Sequence, residues 1–232
     1  HAFERRGLAG KVRLAIYTAE GAPMATAGPE MGQYIKGELA QRAIAFFPQR
    51  NTSRVDGTTQ RVVFEDGSEA RYDLLIAIPP HEAPQVVRDA QLANQSGWIP
   101  VDPRTLQVKQ PSDARGIYAV GDVTAVPLPG RYKPDIGLSL PKAGVFAEAH
   151  GRIVAHQIAA KILGRTPSEA FDGKGYCYLE TGAKRAVKAD GSFFELPHPV
   201  MQKRTPDEAQ FRDKLDWVDR LLRPISSPTT AD

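Results

Sequence analysis

"GIYAVGDV", residues 116–123, is a short apolar β-run that leaves through a glycine and places a carboxylate directly behind it. In doubly wound α/β folds a parallel strand ends at the carboxyl edge of the sheet, where ligands bind. Gly121 carries no Cβ, so a ligand can approach the main chain closely there. Asp122 then offers acceptor oxygens to ligand hydroxyls. A polyol chain such as ribitol suits it, because hydrogen bonds to an ionised acceptor are the strong ones. Taken in isolation, the same Gly-Asp also reads as an ordinary turn with a helix-capping aspartate.

Upstream, "KVRLAIYT" (11–18) predicts a buried strand. From Pro29 to about Phe47, Met31, Ile35, Leu39 and Ile44 fall near helical spacing, and Pro48 ends the pattern. Asp66-Gly67 lies between two β-prone runs, a hairpin signal. "LLIAI" (74–78) is apolar without alternation, as in a parallel strand covered on both faces, and Pro79-Pro80 terminates it. A polar, proline-rich crossing then holds the small run "WIPVD".

Downstream of the quoted stretch, a loop rich in proline and glycine covers 124–140. A long amphipathic helix is expected from about Pro141 to Gly164, a C′ glycine, with Val145, Ala149, Ile153, His156, Ala160 and Leu163 on one stripe. Strands follow at "GYCYLE" and "KRAVKA", then a helix over about Asp207–Leu222 and a polar tail expected to be disordered. Strands alternating with helices give an α/β class.

The 232 residues, 41% hydrophobic and 25% charged, are an ordinary globular composition that can bury a sizeable core. The net charge of +3 is made of interspersed acids and bases, with no basic block, which argues against nucleic acid. Cys177 is the single cysteine, so no internal disulfide and no thiolate metal cluster can form. His81, His150, His156 and His198 show no metal-ligand spacing, and no metal is expected. His156, on the apolar stripe, reads as a packed core histidine, and His81 is the better placed of the four for a site. No apolar run is long enough to span a bilayer, and the start of the chain shows no signal peptide. The opening "HAFERRGLAGKV" reads like mid-helix sequence, which predicts a piece of a longer protein.

In motif order the chain resembles the two-dinucleotide-domain flavoproteins. "GIYAVGDV" is similar to their second flavin-binding motif, whose aspartate holds the ribityl chain of FAD. "KPDIGLSLPKAGVFAEAHGRIVAHQIAAKILG" looks like the following loop and helix, whose start faces the flavin ring. "YDLLIAIPPHEAP" looks like the strand returning from the NAD-type domain. The branch it resembles is that of sulfide:quinone oxidoreductase, in which "FDGKGYCYLETG" looks like the C-terminal segment with one of the redox cysteines. The chain departs from that pattern in two ways. It has no G-x-G-x-x-G, and the branch's partner cysteine upstream of "KVRLAIYT" is absent.

The resemblance implies a partial doubly wound fold, without the N-terminal FAD fingerprint. Residues 1–85 would be the second half of an NAD-type domain and 86–165 the C-terminal half of the FAD domain. Residues 166–232 would form a C-terminal segment with an amphipathic helix and tail. Gly121, Asp122 and Val123 become FAD-binding residues. Lys142, Ala143 and Gly144, at the helix start, would aim unpaired N–H groups and a charge at the flavin's pyrimidine end. Cys177 becomes one member of a sulfur-handling pair, which needs a thiolate; otherwise it is plain strand packing.

The implied function is electron transfer from a small donor, with sulfide as the candidate, through FAD to a quinone-type acceptor. Partners would be the missing N-terminal part of the same protein and, through the last helix, a membrane surface. The location would be cytoplasmic or peripheral on a membrane. In one alternative NAD(P)H is the donor and Cys177 is inert. In the other the chain is a non-catalytic binding or assembly module. This chain by itself is expected to bind FAD weakly or not at all and to be inactive.

Overall fold

The computed structural model describes residues 2–109 and 116–226. After a short helical turn, α1 (Ala2–Arg5), strand β1 (Leu14–Tyr17) pairs in parallel with β2 (Ile44–Phe47), and α2 (Pro29–Gln41) connects them. The expected helix to Phe47 therefore ends six residues early. Ala43 takes a left-handed backbone conformation, and Ile44–Phe47 joins β1. Propensity is a weak prior, and a parallel partner outweighs it. β1 is not buried as expected. It has one neighbour, and all four of its residues are exposed.

The Asp66-Gly67 hairpin forms as predicted, within an antiparallel meander of β3 (Thr52–Asp56), β4 (Arg61–Phe64) and β5 (Glu69–Arg71). The Asp66 carboxylate accepts from the Ser68 N–H at 3.0 Å, the local bond that closes such turns. "LLIAI" forms no ladder, contrary to its reading as a covered strand. Leu74, Ile76 and Ile78 are 81%, 85% and 80% exposed. An apolar run becomes a buried strand only where neighbours supply pairing and cover on both faces.

A short helix, α3 (Gln85–Asp89), leads to β6 (Ile99–Pro100), which pairs in parallel with β7 (Thr124–Ala125). The quoted stretch itself is not a parallel strand. Ile117 and Ala119 exchange backbone bonds with Val108 and Leu106, and Tyr118 bridges Gln107 in antiparallel sense. The Gly-Asp turn thus sits where an antiparallel contact hands over to a parallel one. The expected loop 124–140 is stitched across itself, with Leu128 N–H donating to Leu138 and Leu140 N–H to Val126.

α4 (Gly144–Ile162) begins three residues later than predicted and ends at Gly164 as predicted. Gly164 has a φ of 62°, and the Arg165 N–H returns to the Ala160 carbonyl. The buried stripe is shifted from the expected one, to Phe146, His150, Ile153, Val154 and Gln157. His156 lies outside that stripe, 3.3 Å from Glu169, and is not a core histidine. β8 (Lys174–Gly182) and β9 (Arg185–Ser192) form the predicted strands as an antiparallel hairpin, extended by β10 (Val200–Lys203).

α5 (Glu208–Ser226) packs on β8 and β9. Asp207 caps it, accepting the Gln210 N–H at 2.7 Å. The tail beyond Ser226 lies outside the described residues. The main core joins Val101, Leu106, Val126, Phe146, Ile153 and Phe171. A smaller cluster seats α2 on the hairpin through Ala27, Met31, Ile35 and Ala189.

Candidate functional site

The Gly121–Val123 turn is one 3-10 turn whose backbone polar groups are tied to the protein from two sides. On one side, the Gly121 N–H donates to His150 Nδ1 of α4 at 3.2 Å. On the other, Lys142 Nζ donates to the Asp122 carbonyl and, at 3.2 Å, to the Thr124 carbonyl. Thr124 closes the turn from within, its hydroxyl donating to the Gly121 carbonyl at 2.7 Å. Gly121 has a φ of 69°, and a Cβ there would lie 3.0 Å from Ala147 Cβ. Both facts call for glycine, for conformation and for the close approach of α4.

Asp122 is exposed, and its carboxylate takes no hydrogen bond from the described residues. Its backbone is held while its side chain keeps its acceptor capacity. Val123 is partly buried against the main core.

Lys142, Ala143 and Gly144 do not form one run of helix-leading N–H groups. Gly144 opens α4, and Ala143 is its cap, accepting the Phe146 N–H at 3.0 Å and the Ala147 N–H at 3.1 Å. Lys142 precedes the helix, with Nζ 3.6 Å from the centre of the Trp98 ring. Burial pushes its ammonium below the usual lysine range, while the Asp122 charge opposes that shift. The first turn of α4 lies beside the Asp122 turn, with Ala147 against Gly121.

Cys177 lies in β8 opposite Ala189 of β9, packed with the α2 cluster. Burial pushes its thiol above the ordinary value, and the nearby Asp190 carboxylate adds to this. The two lysines close in sequence do not offset that. Lys174 lies 3.5 Å from Asp172, and Lys184 stands at the hairpin turn. On neighbouring strand positions, Lys188 Nζ lies 4.7 Å from the Tyr176 ring and donates to Asp213 of α5 at 2.7 Å. The Tyr178 hydroxyl donates to the same carboxylate oxygen at 2.7 Å. Burial, then this bond, raises the Tyr178 phenol well above its usual range. This cluster fastens α5 to the hairpin.

A cleft of about 520 Å³ opens between the start of α4 and the hairpin, with Val145, Glu148, Arg152, Tyr176, Asp190 and Gln202 on its walls. Neither Asp122 nor Cys177 lines it. Of the other residues around the site, His150 and Trp98 escaped the sequence reading. The signal for His150 was present, since Phe146, His150, Ile153 and Gln157 recur at steps of four, three and four.

Comparison with known proteins comes from both sequence and structure. A family model described as pyridine nucleotide-disulphide oxidoreductase matches residues 6–152. The mitochondrial sulfide:quinone oxidoreductase of Mus musculus is 24% identical over 165 residues, which are 68% of this chain and 33% of that protein. The mitochondrial sulfide:quinone oxidoreductase of Schizosaccharomyces pombe is 27% identical over 149 residues, 62% of this chain and 29% of that protein. The chain thus spans about a third of the length of these curated relatives. The crystal structure of sulfide:quinone oxidoreductase from Aquifex aeolicus superposes with a TM-score of 0.77 at 21% identity, over 95% of this chain and 52% of that one. That likeness concerns the fold.

Proposed function

The chain belongs to the pyridine nucleotide-disulphide oxidoreductase family, and on that premise we propose that it supplies the ribityl-binding side of an FAD site in a sulfide:quinone oxidoreductase-like enzyme. The observation that carries this reading is the Gly121–Asp122 turn. Its backbone groups are engaged by His150, Thr124 and Lys142, and its carboxylate is left open to solvent. These residues fit a hydroxyl-bearing chain, which needs a fixed anionic acceptor and a close main-chain approach at a glycine. FAD, when bound, supplies a two-electron acceptor. The chain's own contribution would be to hold the ribityl hydroxyls at Asp122 and to offer the positive end of α4, from Gly144, to the negative charge that the reduced ring carries.

The exposed Leu74, Ile76 and Ile78 favour further chain of the parent protein covering them. The donor in this proposal is a small reduced species such as sulfide, and the acceptor is a quinone. A second reading keeps FAD and takes NAD(P)H as donor, with Cys177 inert. The burial that raises the Cys177 thiol favours it, because sulfur chemistry needs a thiolate.

Two substitutions in the intact protein test these readings. Asp122→Ala should weaken FAD binding by about 1.5–3 kcal/mol, the scale of a lost hydrogen bond to a charged group. Unchanged flavin affinity removes Asp122 from the site. Cys177→Ser should keep FAD content and abolish sulfide-dependent flavin reduction if the sulfur reading holds. Full turnover with sulfide in that variant returns Cys177 to a packing role.

A further inference from the structure

His150 is 1% exposed, and nothing in the flavin reading above uses it. It stands on α4, edge-on to the Phe171 ring at 4.6 Å between centroids. Its Nδ1 receives the Gly121 N–H at 3.2 Å, so Nδ1 is the unprotonated nitrogen and the ring proton sits on Nε2. Nε2 is buried and has no partner among the described residues.

We propose that His150 is a positioning residue for the Asp122 turn: by accepting the Gly121 N–H it selects the backbone conformation that presents the Asp122 carboxylate to a hydroxyl-rich ligand. This rests on the reading of Asp122 as the ribityl-binding carboxylate. Glycine enters positive and negative φ about equally readily, so sterics alone do not choose the 69° found at Gly121. Something outside the residue must choose it, and the hydrogen bond from its N–H to the buried ring does. Lys142 and Thr124 hold the carbonyl side of the turn and leave the N–H side to His150 alone. Burial lowers the imidazole to about 4, so the ring is neutral at physiological pH and Nδ1 stays an acceptor. A protonated ring would set two N–H donors against each other.

Two variants in the intact, flavin-loaded protein separate positioning from packing. His150→Phe keeps a ring against Phe171 and removes the acceptor. His150→Asn keeps an acceptor near the place of Nδ1 and removes the ring. Positioning predicts that the Kd for FAD rises about tenfold in the Phe variant and stays within about twofold in the Asn variant. The melting temperature should fall further in the Asn variant, because it leaves a cavity. Flavin affinity that simply follows melting temperature overturns the proposal. An independent readout needs no flavin. The imidazole ¹⁵N shifts should show His150 unprotonated at Nδ1, and the Gly121 amide should lose its hydrogen-bonded shift in the Phe variant only. A proton on Nδ1 also overturns the proposal. Failure of the underlying reading looks different: Asp122→Ala then leaves FAD affinity unchanged while the His150 tautomer is as expected, and the positioning role for that ligand falls with it.

Discussion

The Asp122 turn and the Cys177 strand both carry a side chain capable of chemistry, and their surroundings treat the two in opposite ways. Around Asp122 the protein engages the main chain and leaves the carboxylate exposed, with no hydrogen bond from the described residues. Around Cys177 it packs the partly buried side chain against Ala27, Met31, Ile35 and Ala189, and burial raises the thiol pKa. A group ready to bind keeps unused capacity, whereas a packed group has its surface consumed by neighbours. The difference supports the proposal that Asp122, rather than Cys177, is the group ready to bind, and any sulfur function of Cys177 depends on surroundings that lower its pKa.

The largest expected effect lies on the turn side and comes through His150. Burial lowers its imidazole from the ordinary 6.5 to about 4, so below 6.5 the unfolded chain binds the proton more readily. The stabilisation is fully present above pH 6.5 and is lost as pH falls toward 4. From this shift it amounts to roughly 3 kcal/mol over that window. Urea midpoints at pH 7.5 and 4.5 should fall more steeply for the wild type than for His150→Phe. Equal slopes mean that the ring titrates normally and is not buried as described.

Gly121→Ala comes next. A side chain at positive φ, with its Cβ 3.0 Å from Ala147 Cβ, should cost about 1–3 kcal/mol in denaturant unfolding. A neutral substitution shows that the turn relaxes easily, and the contrast with Cys177 loses its basis.

On the strand side, Cys177→Ala removes one partly buried heavy atom and should cost about 1 kcal/mol. Alkylation of the wild-type thiol should have its inflection above the ordinary cysteine range, since burial and Asp190 raise it. An inflection near neutral pH in the intact protein reverses the comparison and restores the sulfur reading.

The smallest expected effect concerns α5. Its inward face is taken up by the hairpin, through Trp217 beside Tyr176 and Asp213 beside Lys188. Leu215 and Leu222, 49% and 55% exposed, face outward. Leu215→Ser should change stability by less than about 0.5 kcal/mol. A loss of binding to anionic vesicles in that variant assigns this outer face to a lipid surface, and unchanged binding assigns α5 to packing alone.

Local chemistry in the sequence determined a good part of this molecule. The Asp66-Gly67 hairpin, the Gly164 stop of α4, the β8 and β9 strands and the α5 helix each depend on residues within a few positions of one another. The family resemblance was legible too, because it rests on motif order along the chain. Tertiary structure alone decided the rest. Ile44–Phe47 continued a helical spacing and became a strand because β1 lay alongside. Leu74–Ile78 read as covered and stands exposed, because cover comes from elements distant in sequence. His150 rather than His156 entered the core because the face that α4 buries is set by what packs against it, and a one-residue turn of that face exchanges one histidine for the other. Lys142 also holds the Asp122 carbonyl, a contact across 20 positions that only the closed fold brings about.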